Sequence, residues 1–433
     1  MLTIYAFAMV ATFMALVMSG KVSPFAALVL APIAFGLLAG GGAGLGPMML
    51  EGIRNLAPTG VMLAFAILYF GVMVDAGLFD PLVRLIVRLV GGDPVRIVVG
   101  TAILALMVSL DGDGSTTYII CCAAMVPLYR RVGLDPLVLT CLLMLACGVT
   151  NITPWGGPTA RAASALGLDP AEIFVPLIPA MLAGAAFVVG LAYWLGRRER
   201  KRLGRLDGVV SEKALEAELV AENDPTERPG LIWVNLALTA VLLASLVAGL
   251  LPLPALFMIA SALALIINYP RPADQKARLA AHAPNILAVI SVIFAAGIFT
   301  GVLNGMGMTD AMAKSVTGLI PPALGPYMAP ITAVLSMPFT FFVSNDAFFF
   351  GILPILAEAA RPYGIEPAEM ARAALTSQAV HLLSPLVPST YLLVGLAGVE
   401  LGRHQRFTLP AATVLSLVIL AAGLLTTVIP FAG

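Results

Sequence analysis

Charge is what this chain has least of. Only 11% of its 433 residues are Asp, Glu, Lys or Arg, against about 25% in an ordinary soluble protein, and 60% are hydrophobic. A soluble enzyme held by one anchor is excluded, because apolar runs able to cross about 30 Å of hydrocarbon recur from Leu2 to Phe431. Net charge is zero, so no basic footprint calls for nucleic acid, and none is expected as a partner. Cysteine is scarce too: Cys121, Cys122, Cys141 and Cys147 lie in apolar segments without CxxC spacing, which points to packing rather than a zinc or redox site. The first apolar run has neither a basic n-region before it nor a small-residue cleavage site after it. Leu2 to Ser19 therefore reads as a retained helix and not as a signal peptide.

One stretch is rich in charge. Arg197 to Gly230 reads as a solvated linker dividing a first repeat over 1–196 from a second over 231–433. At an offset of 230, Gly71, Val72, Gly77 and Asp80 fall on Gly301, Val302, Gly307 and Asp310; at 231, Gly133, Pro136, Pro154 and Thr159 fall on Gly364, Pro367, Pro385 and Thr390. Asp113 is paired with Asp346 at 233, which requires one loop of different length.

Each half reads as three crossing helices (near 2–19, 22–45 and 57–78, then 231–251, 253–269 and 284–304) and an amphipathic surface helix (81–90, then 310–319). A re-entrant hairpin follows, near 96–130 in one half and 326–360 in the other, because its arms of about 15 residues are too short to cross comfortably. Then comes a helix broken by proline and glycine, at 151–158 and at 384–390, and a final crossing. Five crossings are an odd number, so the second half must insert upside down. The expected fold class is an all-α polytopic membrane protein of two inverted repeats. Lys21, Arg84, Arg88, Arg96, Arg130, Arg131, the linker, Arg271, Lys276, Arg278, Arg403 and Arg406 would all lie on one side, so the positive-inside rule places the linker in the cytoplasm and both termini outside.

Inverted repeats with paired broken helices are the sequence sign of a secondary transporter whose site lies between the repeats near the midplane. The polar residues of the tips and breaks are the candidate substrate ligands: Asp111, Asp113, Ser115, Thr116, Thr117, Asn151, Thr153, Thr159, Arg161, Ser344, Asn345, Asp346, Ser384, Ser389 and Thr390. A carboxylate at bilayer depth costs about 2.5 to 3.5 kcal/mol, so three aspartates near two tips need a reason, which binding of a cation or proton supplies. The plainer reading is that Asp111 or Asp113 caps the second hairpin arm. Hydroxyls, amides and half-helix N-termini can receive anionic oxygens, with Arg161 the single fixed positive charge. Such a pocket repels a naked tricarboxylate and suits an anion already part-neutralised by Mg²⁺ or Ca²⁺. Asp113 and Asp346 are the candidate contacts to that metal. Asp75, Asp113, Asp346 and His381 are the candidate proton carriers.

These motifs resemble one family. Ser-Leu-Asp-Gly-Asp-Gly-Ser-Thr-Thr-Tyr118, Asn-Ile-Thr-Pro-Trp-Gly-Gly-Pro-Thr-Ala-Arg161, Ser-Met-Pro-Phe-Thr-Phe-Phe-Val-Ser-Asn-Asp346 and His-Leu-Leu-Ser-Pro-Leu-Val-Pro-Ser-Thr-Tyr391 are similar to those of the citrate-metal proton symporters. The resemblance implies uptake of citrate as a complex with a co-transported divalent cation, driven by protons, across a bacterial inner membrane. It also implies a homodimer with an elevator-type mechanism, and no permanently bound cofactor. The sodium-coupled relatives carry Ser-Asn-Thr at both tips. Here the tips read Asp113-Gly-Ser-Thr116 and Ser344-Asn-Asp346, which favours proton or metal coupling over sodium.

Plainer readings stand beside these. Asp75 can end a helix at the interface, His381 can be packed against backbone, and Arg161 can snorkel to the outer surface. His282 and His404 fall in expected cytoplasmic loops and read as solvated, and Phe348 to Phe350 read as packing. An intramembrane aspartyl protease using Asp75 with Asp113 is disfavoured by the duplication, and a channel by the paired broken helices. The nearest rival is a sodium- or proton-coupled carrier of a free di- or hydroxycarboxylate.

Overall fold

The computed structural model describes residues 1–19, 21–90, 93–203, 226–318, 321 and 323–433; residues 204–225 of the expected linker lie outside the described residues. The described chain is all helical. Its first part runs α1 Leu2–Met18, α2 Pro24–Leu38, α3 Leu45–Asp75, α4 Asp80–Val90, α5 Pro94–Val108, α6 Gly114–Val132, α7 Pro136–Thr150, α8 Gly157–Leu166 and α9 Pro170–Leu203. The second part runs α10 Ile232–Val247, α11 Leu253–Asn268, α12 Pro272–Gly305, α13 Met308–Thr317, α14 Met328–Phe342, α15 Leu353–Ala360, α16 Pro367–Leu375, α17 Gln378–His381, α18 Pro388–Ala397 and α19 Leu401–Leu425. Among the described residues six helical segments are long and apolar enough to cross a membrane, with shorter apolar helices between them.

Helix starts follow from an acid or hydroxyl set before proline. Ser23, Asp93 and Asp135 each receive a backbone N–H of the first turn, at 3.2, 3.1 and 2.9 Å, and Pro24, Pro94 and Pro136 open helices whose first N–H has no intrahelical partner anyway. Asp93 also ties the base of the first hairpin to the end of α9, accepting from Arg200 Nε at 2.9 Å. Burial acts to raise the Asp93 carboxyl. The hydrogen bond from Arg200, the Val95 N–H and the charges of Arg200 and Arg96 outweigh it and hold the group below its ordinary value.

Helices differ from the sequence expectation chiefly in length. Helices α3 and α12 begin about three turns earlier than read, and α9 continues through 197–203, the expected start of the linker. Glu51, Arg54, Asn55 and the polar run from Asp274 to His282 carry no helix-breaking signal of their own, and most of these side chains face outward from an unbroken helix. Two histidines read as solvated are therefore placed inside. His282 Nε2–H donates to Asp75 Oδ2 at 2.8 Å, and the ring occupies space that a Cβ at Gly71 would invade. His404 is fully buried, 3.0 Å from the Thr140 hydroxyl, because α19 starts at Leu401 and aligns His404, Thr408 and Ala412 on its inner face at a spacing of four.

Helices α3 and α12 cross almost backbone to backbone. A Cβ on Gly52 would lie 1.9 Å from the Gly297 carbonyl oxygen, and one on Gly301 would lie 2.4 Å from that of Met48. Small residues at four-residue spacing give such close approach, which maximises dispersion contact where lipid offers no hydrophobic drive. The contact recurs at the repeat offset. Gly301 meets Gly52, and Gly71 meets His282, their counterparts at 230. Helices α7 and α17 cross where a Cβ on Gly148 would sit 2.6 Å from Ala379 Cα, and Ala379 is the counterpart of Gly148 at 231. Contacts that map onto one another at the repeat offset are what a two-fold relation between the halves would produce.

Candidate functional site

The first hairpin turns through Ser109–Asp111 and Gly112, whose φ of 81° is open to glycine at little cost. Both aspartates of this tip are engaged locally. Asp111 is buried and receives the Asp113 N–H at 2.9 Å. Asp113 caps α6, accepting from Ser115 N–H at 3.0 Å, Thr116 N–H at 3.2 Å and the Thr116 hydroxyl at 2.6 Å. Trp155, in the break between α7 and α8, holds the tip from below: its indole N–H donates to the Leu110 carbonyl at 2.9 Å, and its ring packs on Phe70 of α3 and Phe257 of α11. Ser389 of the second break reaches the same tip, its hydroxyl 3.8 Å from where a Cβ of Gly114 would be.

At the second tip the equivalent capping is done by Ser344, whose hydroxyl accepts the Ala347 N–H at 3.2 Å. Capping thus equates Asp113 with Ser344 at the offset of 231, without the slip that pairing Asp113 with Asp346 requires. Asp346 falls on Ser115 instead and has no acidic counterpart. It accepts from Arg161 Nε at 2.5 Å, an ion pair between the second hairpin and α8 of the first half. The guanidinium therefore turns inward and does not snorkel. Gly157 makes room for it, since a Cβ there would lie 2.7 Å from Arg161 Nη1.

Behind this tip lies a buried polar layer. Asn345 Nδ2 approaches Gln378 Oε1 at 3.5 Å, while Asn345 Oδ1 and Gln378 Nε2 are buried without a partner. Thr340 and Ser377 hydroxyls are 3.4 Å apart, and His381 Nδ1–H donates to the Thr340 carbonyl at 2.8 Å. Ser377 and Gln378 were not singled out from sequence, although three polar residues in a row, Thr376 to Gln378, within an Ala-rich run are a signal, and they fall at the junction of α16 and α17.

Thr159 and Thr390 occupy equivalent places and do equivalent work. Each donates its hydroxyl back across its break, to the Ile152 carbonyl at 2.9 Å and the Leu382 carbonyl at 2.5 Å, supplying partners that the interrupted ladder lacks. Ser384 Oγ accepts the Leu386 N–H at 3.2 Å, and the Thr153 hydroxyl is buried without a partner. Asp75 stands apart. Its side-chain partners, Arg278 at 3.1 Å and His282, belong to α12 and not to a tip or break. Phe348, Phe349 and Phe350 are fully packed inside.

The second hairpin tip meets the broken helix of the first part in one ion pair, and the first hairpin tip touches both breaks through Trp155 and Ser389; this arrangement inside a bundle of apolar helices defines a multi-pass membrane transporter rather than an enzyme. Residues 2–377 match the model of the CitMHS family, described as citrate transporter, and the chain belongs to that family. It is 56% identical to the citrate transporter of Bacillus subtilis (strain 168) over the full length of both chains. It is 50% identical, over 98% of each, to the Mg(2+)/citrate complex secondary transporter of the same organism. Among solved structures, the Alcanivorax borkumensis YdaH transporter, described as having an unusual topology, superimposes with a TM-score of 0.62 at 17% identity over 89% of each chain. Neisseria gonorrhoeae MtrF does so with 0.62 at 16% over 88% and 84%. These two likenesses concern the fold.

Proposed function

We propose that this protein imports citrate as a complex with a divalent cation, in symport with protons, across the bacterial inner membrane. The observation that carries the reading is the Arg161–Asp346 pair: one fixed cation and one fixed anion, partly exposed, at the meeting of a hairpin tip and a broken helix from different halves. A metal-citrate complex carries the same two signs, so it can be held by both groups at once. The neighbouring Asn345 offers an amide at the same tip, Ser115, Thr116 and Ser389 offer hydroxyls at the first tip and the second break, and the capped Asp113 adds a negative field at the first tip. Two relatives named for citrate and for the Mg(2+)/citrate complex support the cargo.

Proton coupling is assigned to Asp346 with His381, the buried imidazole of the layer behind it. Alternating access is assigned to an elevator movement of hairpins and broken helices against α3 and α12. The contacts that recur at the repeat offset support inverted repeats, the distribution of basic residues supports a cytoplasmic linker with both termini outside, and the assembly is assigned as a homodimer. The test is uptake of radiolabelled citrate into proteoliposomes in sodium-free buffer, with and without an inward proton gradient, across Mg²⁺, Ca²⁺, Zn²⁺ and chelator. Uptake that needs both metal and gradient is expected. Uptake that persists in chelator, or appears only when sodium is restored, would replace this reading with carriage of a free carboxylate.

A further inference from the structure

The three tip carboxylates are held in different ways. Asp111 and Asp113 accept hydrogen bonds from their own turn, whereas Asp346 makes no such cap and is held by Arg161 alone, through one Nε–H to one oxygen. Among the described residues neither side chain of that pair has a second hydrogen bond or ion pair. The Arg161 and Asp346 side chains keep 27% and 14% of their exposure. Asp346 Oδ2 and the terminal nitrogens of Arg161 are thus spare capacity on two partly exposed side chains, in a setting where a bidentate pair would have used both.

We infer that this pair sets selectivity for the complex over either of its components. Arg161 passes to a carboxylate of the chelator only as Asp346 passes to its metal. The inference rests on the metal-citrate reading above. When a complex arrives, one ion pair is broken and two contacts form, Arg161 to carboxylate and Asp346 to metal, so neither group is left bare. Metal-free citrate can engage Arg161, but it strands Asp346 beside a trianion. A bare divalent cation can engage Asp346, but it strands Arg161. Removing one partner of a poorly solvated pair leaves the other uncompensated, which is the expensive outcome. Nor does the protein offer a bare cation an alternative cage, because no three His, Cys, Asp or Glu side chains gather to hold a metal among the described residues. The cation must bring its remaining ligands with it.

The experiment compares Kd for radiolabelled citrate with Mg²⁺ and with excess EDTA, on purified full-length protein, for wild type, Asp346→Asn, Arg161→Gln and Gly157→Ala. A large penalty for removing metal is expected in the wild type. In Asp346→Asn that penalty should shrink on the order of 10- to 100-fold, since Arg161 is then free for a carboxylate and no anion is stranded. Arg161→Gln should lose citrate while gaining affinity for Mn²⁺ alone, read by its electron-spin resonance. If Asp346→Asn does not fold, Gly157→Ala decides the matter: its Cβ displaces the guanidinium while both charges stay, so the unpaired Asp346 should bind Mn²⁺ alone more tightly than in the wild type, and unchanged Mn²⁺ binding would overturn the inference. A metal penalty unchanged in folded Asp346→Asn overturns the inference while the cargo reading survives. A wild type without any penalty overturns the cargo reading itself.

Discussion

At the residue scale, three aspartates that look alike in sequence are separated by what donates to them. Asp113 is saturated by two N–H groups and a hydroxyl, so Asp113→Asn, which can still cap, should leave stability within about 0.5 kcal/mol and lower uptake only a few-fold. Asp113→Ala should cost about 1 kcal/mol, read as a lower unfolding temperature in detergent. Asp346→Asn should leave the fold intact and abolish metal-dependent uptake in proteoliposomes; equal uptake by the two asparagine variants would remove the distinction. That Asp113 caps was one of two readings open in the sequence. That Asp346 aligns with Ser115 was not legible, because residue identity favours matching acid with acid, and only the hydrogen bonds of Ser344 show which position closes the turn. Arg161 had two destinations of similar cost, lipid surface or partner, and only a three-dimensional neighbour chooses between them.

At the scale of elements, the order of helices was readable because apolar length and Gly-Pro breaks are local signals. The starts of α3 and α12 were not, because polar residues alone do not end a helix. The crossing of α7 and α17 has no slack: the atom facing Gly148 is backbone, so Gly148→Val should overpack by about 1–3 kcal/mol or more and lower both the unfolding temperature and the yield of folded protein. The base of the first hairpin is tied more loosely. The Asp93 carboxyl is depressed in the folded protein, so its contribution is fully present above the ordinary carboxylate value near 4 and fades as pH falls through the lower folded value. Because Arg200 is 40% exposed, solvent screens the pair and the loss in Asp93→Asn should be at most about 1 kcal/mol near neutrality, vanishing in strong acid. A pH series of unfolding temperatures for both proteins checks this: curves that stay parallel into acid would show that the pair contributes nothing.

At the scale of the whole molecule, Trp155 joins the first hairpin to Phe70 and Phe257 of long and neighbouring helices. An elevator movement has to slide or part these rings. A pair of cysteines at Trp155 and Phe70, in a chain whose four native cysteines are replaced, should stop uptake when bridged by a thiol cross-linker and restore it on reduction. Full uptake in the bridged protein would show that the two bodies do not move past each other there. The contact of Gly148 with Ala379 has a different consequence. If the halves descend from one duplicated gene, that position once faced a copy of itself, and any gain in bulk would have been felt from both sides together. Lineages could therefore diversify their cargo at positions off the axis, such as 346 against 115, while the axial pair was confined to the smallest residues whatever was being carried.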